Sequence, residues 1–249
     1  MSGAGELRPR KQSPIAGLSR SLKKFRKNPV AAFLIDLVVI IGAALVLSVL
    51  IKAFLIRSFY IPSGSMLDTL QINDRIIVNV MVPEVVEVQR GDIVVFRDPG
   101  GWLGAISTSE KEPIQEISDF ILGTFGITAP DSAEHLVKRV IGLPGDVVTC
   151  CDEQGRIMVN GVGIDEVYLR PGASPSDIEF SVTVPEGHYW VMGDNRPNST
   201  DSRYHTDLPT GGFVPEEVLV GRAFVISWPM DNWTFLDNYP EVFGGVPKP

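Results

Sequence analysis

One stretch limits what this chain can fold into more than any other. VAAFLIDLVVIIGAALVLSVLI, residues 30–51, is 22 residues with a single charge, Asp36, and the window 37–56 is 20 residues with only Lys52. Either register, as a helix, is long enough to cross a bilayer core of about 30 Å. Asn28 and Pro29 fit an N-cap followed by proline at the first helical position, so the helix is expected to start there. Asp36 or Lys52 then falls near an end of the span, where the lysine stem reaches toward the interface.

The charges on either side of this run are unequal. Residues 1–29 hold eight Lys or Arg against one acid, Glu6, which makes that segment +7, and Asp36 and Lys52 cancel. Residues 57–249 therefore carry −15 of a net charge of −8. The positive-inside rule puts the basic segment in the cytoplasm and the large remainder outside the cell membrane. An acidic body argues against nucleic acid as a partner. A cleavable signal peptide is the alternative, but its apolar core spans only about 7 to 15 residues, and no small-x-small site lies between Ile51 and Ile61. No second run of spanning length follows. The expected organisation is a basic cytoplasmic tail (1–28), a transmembrane signal-anchor helix (29–56) and an extracytoplasmic β-rich domain (57–249).

Beyond the anchor, short Val- and Ile-rich runs alternate with Gly, Pro, Asn and Asp: 74–82, 91–96, 135–142, 146–150, 156–159, 180–184, 188–193 and 221–228. These are strand-length segments bounded by turn residues, and Asn160-Gly161 is a two-residue hairpin signal. The fold class is mainly β, an antiparallel domain on a single membrane helix. Residues 100–130 are an exception, apolar for a loop. Ser109 to Glu112 fits a capping box, with Ile114, Ile117, Phe120 and Ile121 at helical spacing. Two readings stand, a helix packed on the sheet and an amphipathic segment dipping into the outer membrane surface. The adjacent Cys150 and Cys151 rule out C-x-x-C zinc spacing and leave either a vicinal disulfide or two buried thiols.

Three segments can carry chemistry. Ile61-Pro62 favours extended backbone and Ser63-Gly64-Ser65 a sharp turn, which can bring a hydroxyl and a backbone N–H to one point, as a nucleophile beside an oxyanion hole requires. The bland reading is a turn and nothing more. A serine needs a base, and His135, His188 and His205 each have a structural explanation, on a strand, at the start of one and in a polar loop. Lys138 is unusual in lying within the apolar run LVKRVIGLPGD, with Leu136 and Val140 on its face by strand alternation. Desolvation there lowers a lysine pKa and frees the amine to accept a proton. The competing reading is a charge on an exposed edge strand. The third segment, GDNRPNSTDSR (193–203), is dense in opposite charges and hydroxyls, which suits either a hydrophilic connection or a network that orients a catalytic group.

Taken together, PSGSM (62–66), RGDIVVF (90–96), KRVIGLPGD (138–146) and GDNRPNSTDSR (193–203), in this order behind an N-terminal anchor, resemble the boxes of the bacterial type I signal peptidases, the S26 leader peptidases. The resemblance implies a membrane serine endopeptidase of signal-peptidase fold, in which Ser65 is the nucleophile and Lys138 the general base. It implies an oxyanion hole from the Ser65 N–H and the Ser63 hydroxyl, with Ser199 orienting the lysine and Asp201 paired to Arg203. Phe59, Ile61, Met66, Leu70 and Val137 are expected to line small apolar pockets for substrate residues −1 and −3. No metal or other cofactor is implied. The expected partners are secretory preproteins cut after A-x-A-like sites, the lipid bilayer and the nearby export machinery.

Three departures limit what carries over. One span is expected where some relatives have two, the interval between the last two boxes leaves room only for a reduced cap (147–187) of a hairpin or two, and the 100–130 insertion has no role to transfer. The nine residues from Ile56 to Ser65 reach at most ~30 Å, so the serine should lie close to the outer membrane face. The rival readings are a non-enzymatic anchored β domain and a soluble self-cleaving Ser/Lys protease of the SOS-repressor kind. The anchor and the acidic body speak against the second.

Overall fold

The computed structural model describes residues 29–104 and 134–249 and divides into two compact units, 1–50 and 51–249. Helix α1 (Pro29–Phe54), whose last four residues belong to the second unit, starts at the proline the sequence marks. Its Ala32–Val49 stretch is long and apolar enough to cross a membrane, with none of that stretch buried inside the protein. Apolar side chains around the whole circumference leave no polar face for water. The helix ends two residues earlier than expected, because Ile56 already belongs to strand β1 (Ile56–Tyr60).

The second unit is built from antiparallel sheet. The larger sheet runs in the order β1, β2 (Arg75–Asn79), β11 (Leu219–Trp228), β3 (Ile93–Arg97), β4 (His135–Gly142), β9 (His188–Met192) and β10 (Val214–Pro215), while β12 (Thr234–Phe235) pairs with β11. β3 and β4 pair in continuous register from Ile93–Arg139 to Arg97–His135. Both are central, and four of the five β3 residues are buried, which is why β3 reads as a continuous apolar run rather than an alternating one. β11 is irregular at three points along its pairings, which lets one ten-residue strand bond to β2, β3 and β12 in turn.

The interval expected to form a reduced cap holds a second, four-stranded sheet, ordered β7 (Val162–Gly163), β6 (Ile157–Val159), β5 (Val147–Cys150) and β8 (Phe180–Thr183). Asn160 and Gly161, at φ 51° and 79°, make the two-residue connection between β6 and β7. Cys150 and Cys151 at the end of β5 are joined as a vicinal disulfide. Two of the sequence boxes hold the sheets together: Arg90 grips Asp146 through two hydrogen bonds of 2.7 and 2.6 Å, and Asp146 also accepts from Leu143 N–H and Asn160 Nδ2, both at 2.8 Å. Asp146 is fully buried, so these partners replace the water it loses. Both readings of the 100–130 insertion, the packed helix and the amphipathic segment, rest on residues that lie outside the described ones; of the insertion only residues 100–104 are described.

Candidate active site

Ser63-Gly64-Ser65 follows β1 after Ile61 and Pro62. Ile61 is anchored to the neighbouring chain by its N–H donating to Asp74 O (2.9 Å) and its carbonyl accepting from Asn73 N–H (3.0 Å). Gly64 is not in a left-handed conformation, so the turn uses its lack of a side chain rather than its φ freedom; a Cβ there would stand 3.0 Å from Leu67 Cδ1. The 193–203 loop reaches back to this turn. Asn195 donates its backbone N–H to Ser65 O (3.1 Å) and its Nδ2 to Gly64 O (2.8 Å), which fixes two consecutive carbonyls.

Lys138 lies on β4, between β3 and β9, so it is not an edge-strand charge. It is 3% exposed, and its Nζ donates to Ser65 Oγ at 2.8 Å and to Val137 O at 3.2 Å. Burial pulls the amine down to about 8 from its ordinary 10.5, against the pull of the Asp201 and Asp194 charges, which favour the ammonium. Near neutral pH and above, an appreciable share of the amine is thus free to take a proton, and the group within reach is the serine hydroxyl.

The remaining expected residues divide. Ser63 Oγ lies 3.5 Å from Ser65 Oγ, on the same side of the turn. Asp201 and Arg203 are paired, Arg203 donating Nε and a terminal nitrogen to the two Asp201 oxygens at 2.9 Å each, and Asp201 also accepts Gly193 N–H at 2.9 Å. Ser199 is buried nearby, but its Oγ has no hydrogen-bond partner among the described residues, so the expected bond to Lys138 is not formed. Gly193 sets the spacing: a Cβ there would lie 2.2 Å from Ser199 Oγ and 2.5 Å from Ser65 O, so only glycine lets these two approach.

An apolar cavity of about 130 Å³ opens beside Ser65 and Lys138. Phe59, Ile61, Met66 and Val137 line it, as expected from the sequence. Leu70 does not; it is fully buried in the core behind Phe59, Ile61 and Met66. Tyr60, Pro62, Leu103, His135 and Leu136 also line it, and His135 packs on the Phe59 ring at 5.1 Å between centroids. Sequence reasoning missed these, as it missed the clamp made by Asn195. The one signal available was density: Asn195 lies in the most polar loop of the chain, where any of eight side chains was a candidate.

A serine hydroxyl bonded to a buried amine of lowered pKa, at the rim of a small apolar cavity on an antiparallel sheet, is the arrangement of a Ser/Lys hydrolase. The family model for signal peptidase, peptidase S26, matches residues 34–228, and the chain belongs to that family. It is 38% identical over 210 residues to the signal peptidase I of Mycobacterium tuberculosis H37Rv, covering 76% of this chain and 71% of that protein. It is 36% identical over 223 residues to the probable signal peptidase I-2 of a Synechocystis species, covering 89% and 86%. A crystal structure of a signal peptidase I from Enterococcus faecalis V583 is 28% identical and covers 54% of this chain and 95% of that one, at a TM-score of 0.33.

Proposed function

We propose that this protein is a membrane-anchored serine endopeptidase, a signal peptidase I, that removes N-terminal signal peptides from exported preproteins by cutting after A-x-A-like sites at the outer membrane face. The observation that carries this reading is the 2.8 Å contact between Lys138 Nζ and Ser65 Oγ in a chain of this family. The neutral amine takes the hydroxyl proton as Ser65 Oγ bonds to the scissile carbonyl carbon. The oxyanion that forms is met by the Ser65 N–H and the Ser63 hydroxyl. Lys138 then passes its proton to the departing amine, leaving an acyl-enzyme. Water, deprotonated by the same lysine, hydrolyses that ester and restores Ser65. Ser199, beside the Ser65 carbonyl, orients the lysine once substrate fills the site, and the Asp201–Arg203 pair holds the loop that carries Ser199.

The cavity beside Ser65 receives a small apolar side chain, with Phe59, Ile61, Met66 and Val137 as its walls and Leu70 supporting them from behind. Residues 1–28 form the cytoplasmic tail, 29–56 the anchor and 57–249 the extracytoplasmic domain of a single-pass cell-membrane protein working near the export machinery. Lipid contact is supported within the β unit by Trp228, Met230, Trp233 and Phe235, which are all exposed around β12. Aromatic side chains of this kind partition to the headgroup level.

The test uses detergent-solubilised full-length protein and a preprotein with an Ala-x-Ala site. Wild type should release the signal peptide, and Ser65→Ala and Lys138→Ala should not. Substrate left intact by wild type, or cut equally fast by either variant, refutes the proposal.

A further inference from the structure

The first turn of the 100–130 insertion takes no part in the chemistry above, yet it sends Leu103 into the cavity wall. This turn is built. The Asp98 carboxylate accepts the N–H groups of Gly100, Gly101 and Trp102 at 2.9 Å each and of Leu103 at 3.2 Å. Burial works against that charge, but the four donors outweigh it and hold the carboxyl below its usual range. Gly100 and Gly101, at φ 134° and 96°, let successive N–H groups converge on one anion. Gly104 N–H closes the turn on Gly101 O at 3.2 Å.

Trp102 fixes the turn from its other side. It is buried edge-on to Phe96 at 5.6 Å and stacked on His205 at 4.2 Å with the rings 3° apart. His205 Nδ1 in turn lies 2.8 Å from Asp201 O, so the loop that holds the candidate site also holds the insertion's first turn. Leu103 differs from the sheet walls in one respect. Phe59, Ile61 and Val137 are packed into the domain core, whereas among the described residues Leu103 belongs to none of the core clusters.

We propose that Leu103 is a specificity-determining residue: it closes the cavity beside Ser65 against side chains larger than alanine, so this turn sets how strictly a small residue is required before the cleaved bond. This rests on the endopeptidase reading above. Because Leu103 lies outside the core, shortening it enlarges the cavity without loosening the sheet that carries Lys138.

The experiment measures kcat/KM of full-length wild type, Leu103→Ala and Leu103→Val on preproteins carrying Ala, Val or Leu at −1, and separately at −3. For Leu103→Ala the ratio of bulky to alanine substrate should rise about tenfold or more at one of the two positions, with a smaller rise for Leu103→Val. A gain on bulky substrates cannot come from misfolding, and the milder variant preserves the test if the first is unstable. Ratios within about twofold of wild type at both positions, while wild type still cuts Ala-x-Ala, overturn this inference alone. A wild type that cuts nothing overturns it together with the endopeptidase reading.

Discussion

The two faces of β4 treat two consecutive buried cations in opposite ways. Arg139, fully buried, donates to both oxygens of Asp194 at 2.9 and 2.7 Å and to Gly91 O at 2.7 Å, and its guanidinium lies 4.1 Å over the Tyr168 ring. Burial opposes that charge, but Asp194 more than offsets it and raises the arginine's pKa. Lys138, almost as deeply buried, has a hydroxyl and a carbonyl as partners, and carboxylates act on it only through space. The same desolvation that Arg139 answers with an ion pair instead drives Lys138 toward neutrality. A buried cation is structural when it has a counter-ion and a candidate base when it lacks one.

The difference can be broken most sharply at Lys138 itself. Lys138→Met should lower cleavage by about 10⁴-fold while leaving the urea midpoint at or above that of wild type, because a buried charge without a counter-ion is removed. Lys138→Arg should be as inactive, since a guanidinium keeps its proton. A Lys138→Met protein destabilised as much as an Arg139 variant would erase the distinction. Next in size, Arg139→Met should cost about 3–5 kcal/mol in urea unfolding, because Asp194 is left charged and buried.

The pH dependence follows from the lysine. With a pKa of about 8, kcat/KM should fall roughly tenfold per pH unit below that value and level off above it, so an acidic optimum would exclude Lys138 as the base. The stability linkage has its own sign. Between about 8 and 10.5 the unfolded chain binds a proton that the folded chain does not, so the penalty for burying Lys138 charged is present in full below 8 and is relieved as pH rises through that window. The smallest shift in the pH profile is expected for Asp201→Asn, which removes the larger of the two charges that favour the ammonium and also unpairs buried Arg203 at a cost in stability. The midpoint of the pH–rate profile should move down by less than about one unit, and an upward shift would show that Asp201 acts on the lysine in some other way.

Much of the scaffold is legible without coordinates. β4 runs from His135 to Gly142, the bounds of its apolar run, and α1 begins at the marked proline. β1 is missed because Ile56 closes the apolar run and Ile-Arg-Ser-Phe-Tyr shows no clean alternation, and β7, β10 and β12 are too short, at two residues each, to carry a period. In the site, the resemblance picked out Ser65 and Lys138, and the fold brings them together. Leu70 proved to be core, because pockets named by likeness do not distinguish a lining residue from the one behind it. Asn195 and Leu103 were invisible as participants, since each acts through a contact with chain 32 or more positions away.

What the sequence by itself determined is local: an apolar helix of spanning length, a hydroxyl-rich bend shortly after it, and strands punctuated by turns. Side-chain period and turn chemistry are properties of neighbours, so they can be read in line. Only the tertiary structure decided which cation on β4 has a carboxylate and which faces a serine, where the cavity opens, and that an insertion's first turn forms part of its wall. Those outcomes depend on groups such as Ser65 and Lys138, 73 positions apart, being packed into one volume from which water is excluded. Burial and proximity belong to the packed fold rather than to any stretch of chain.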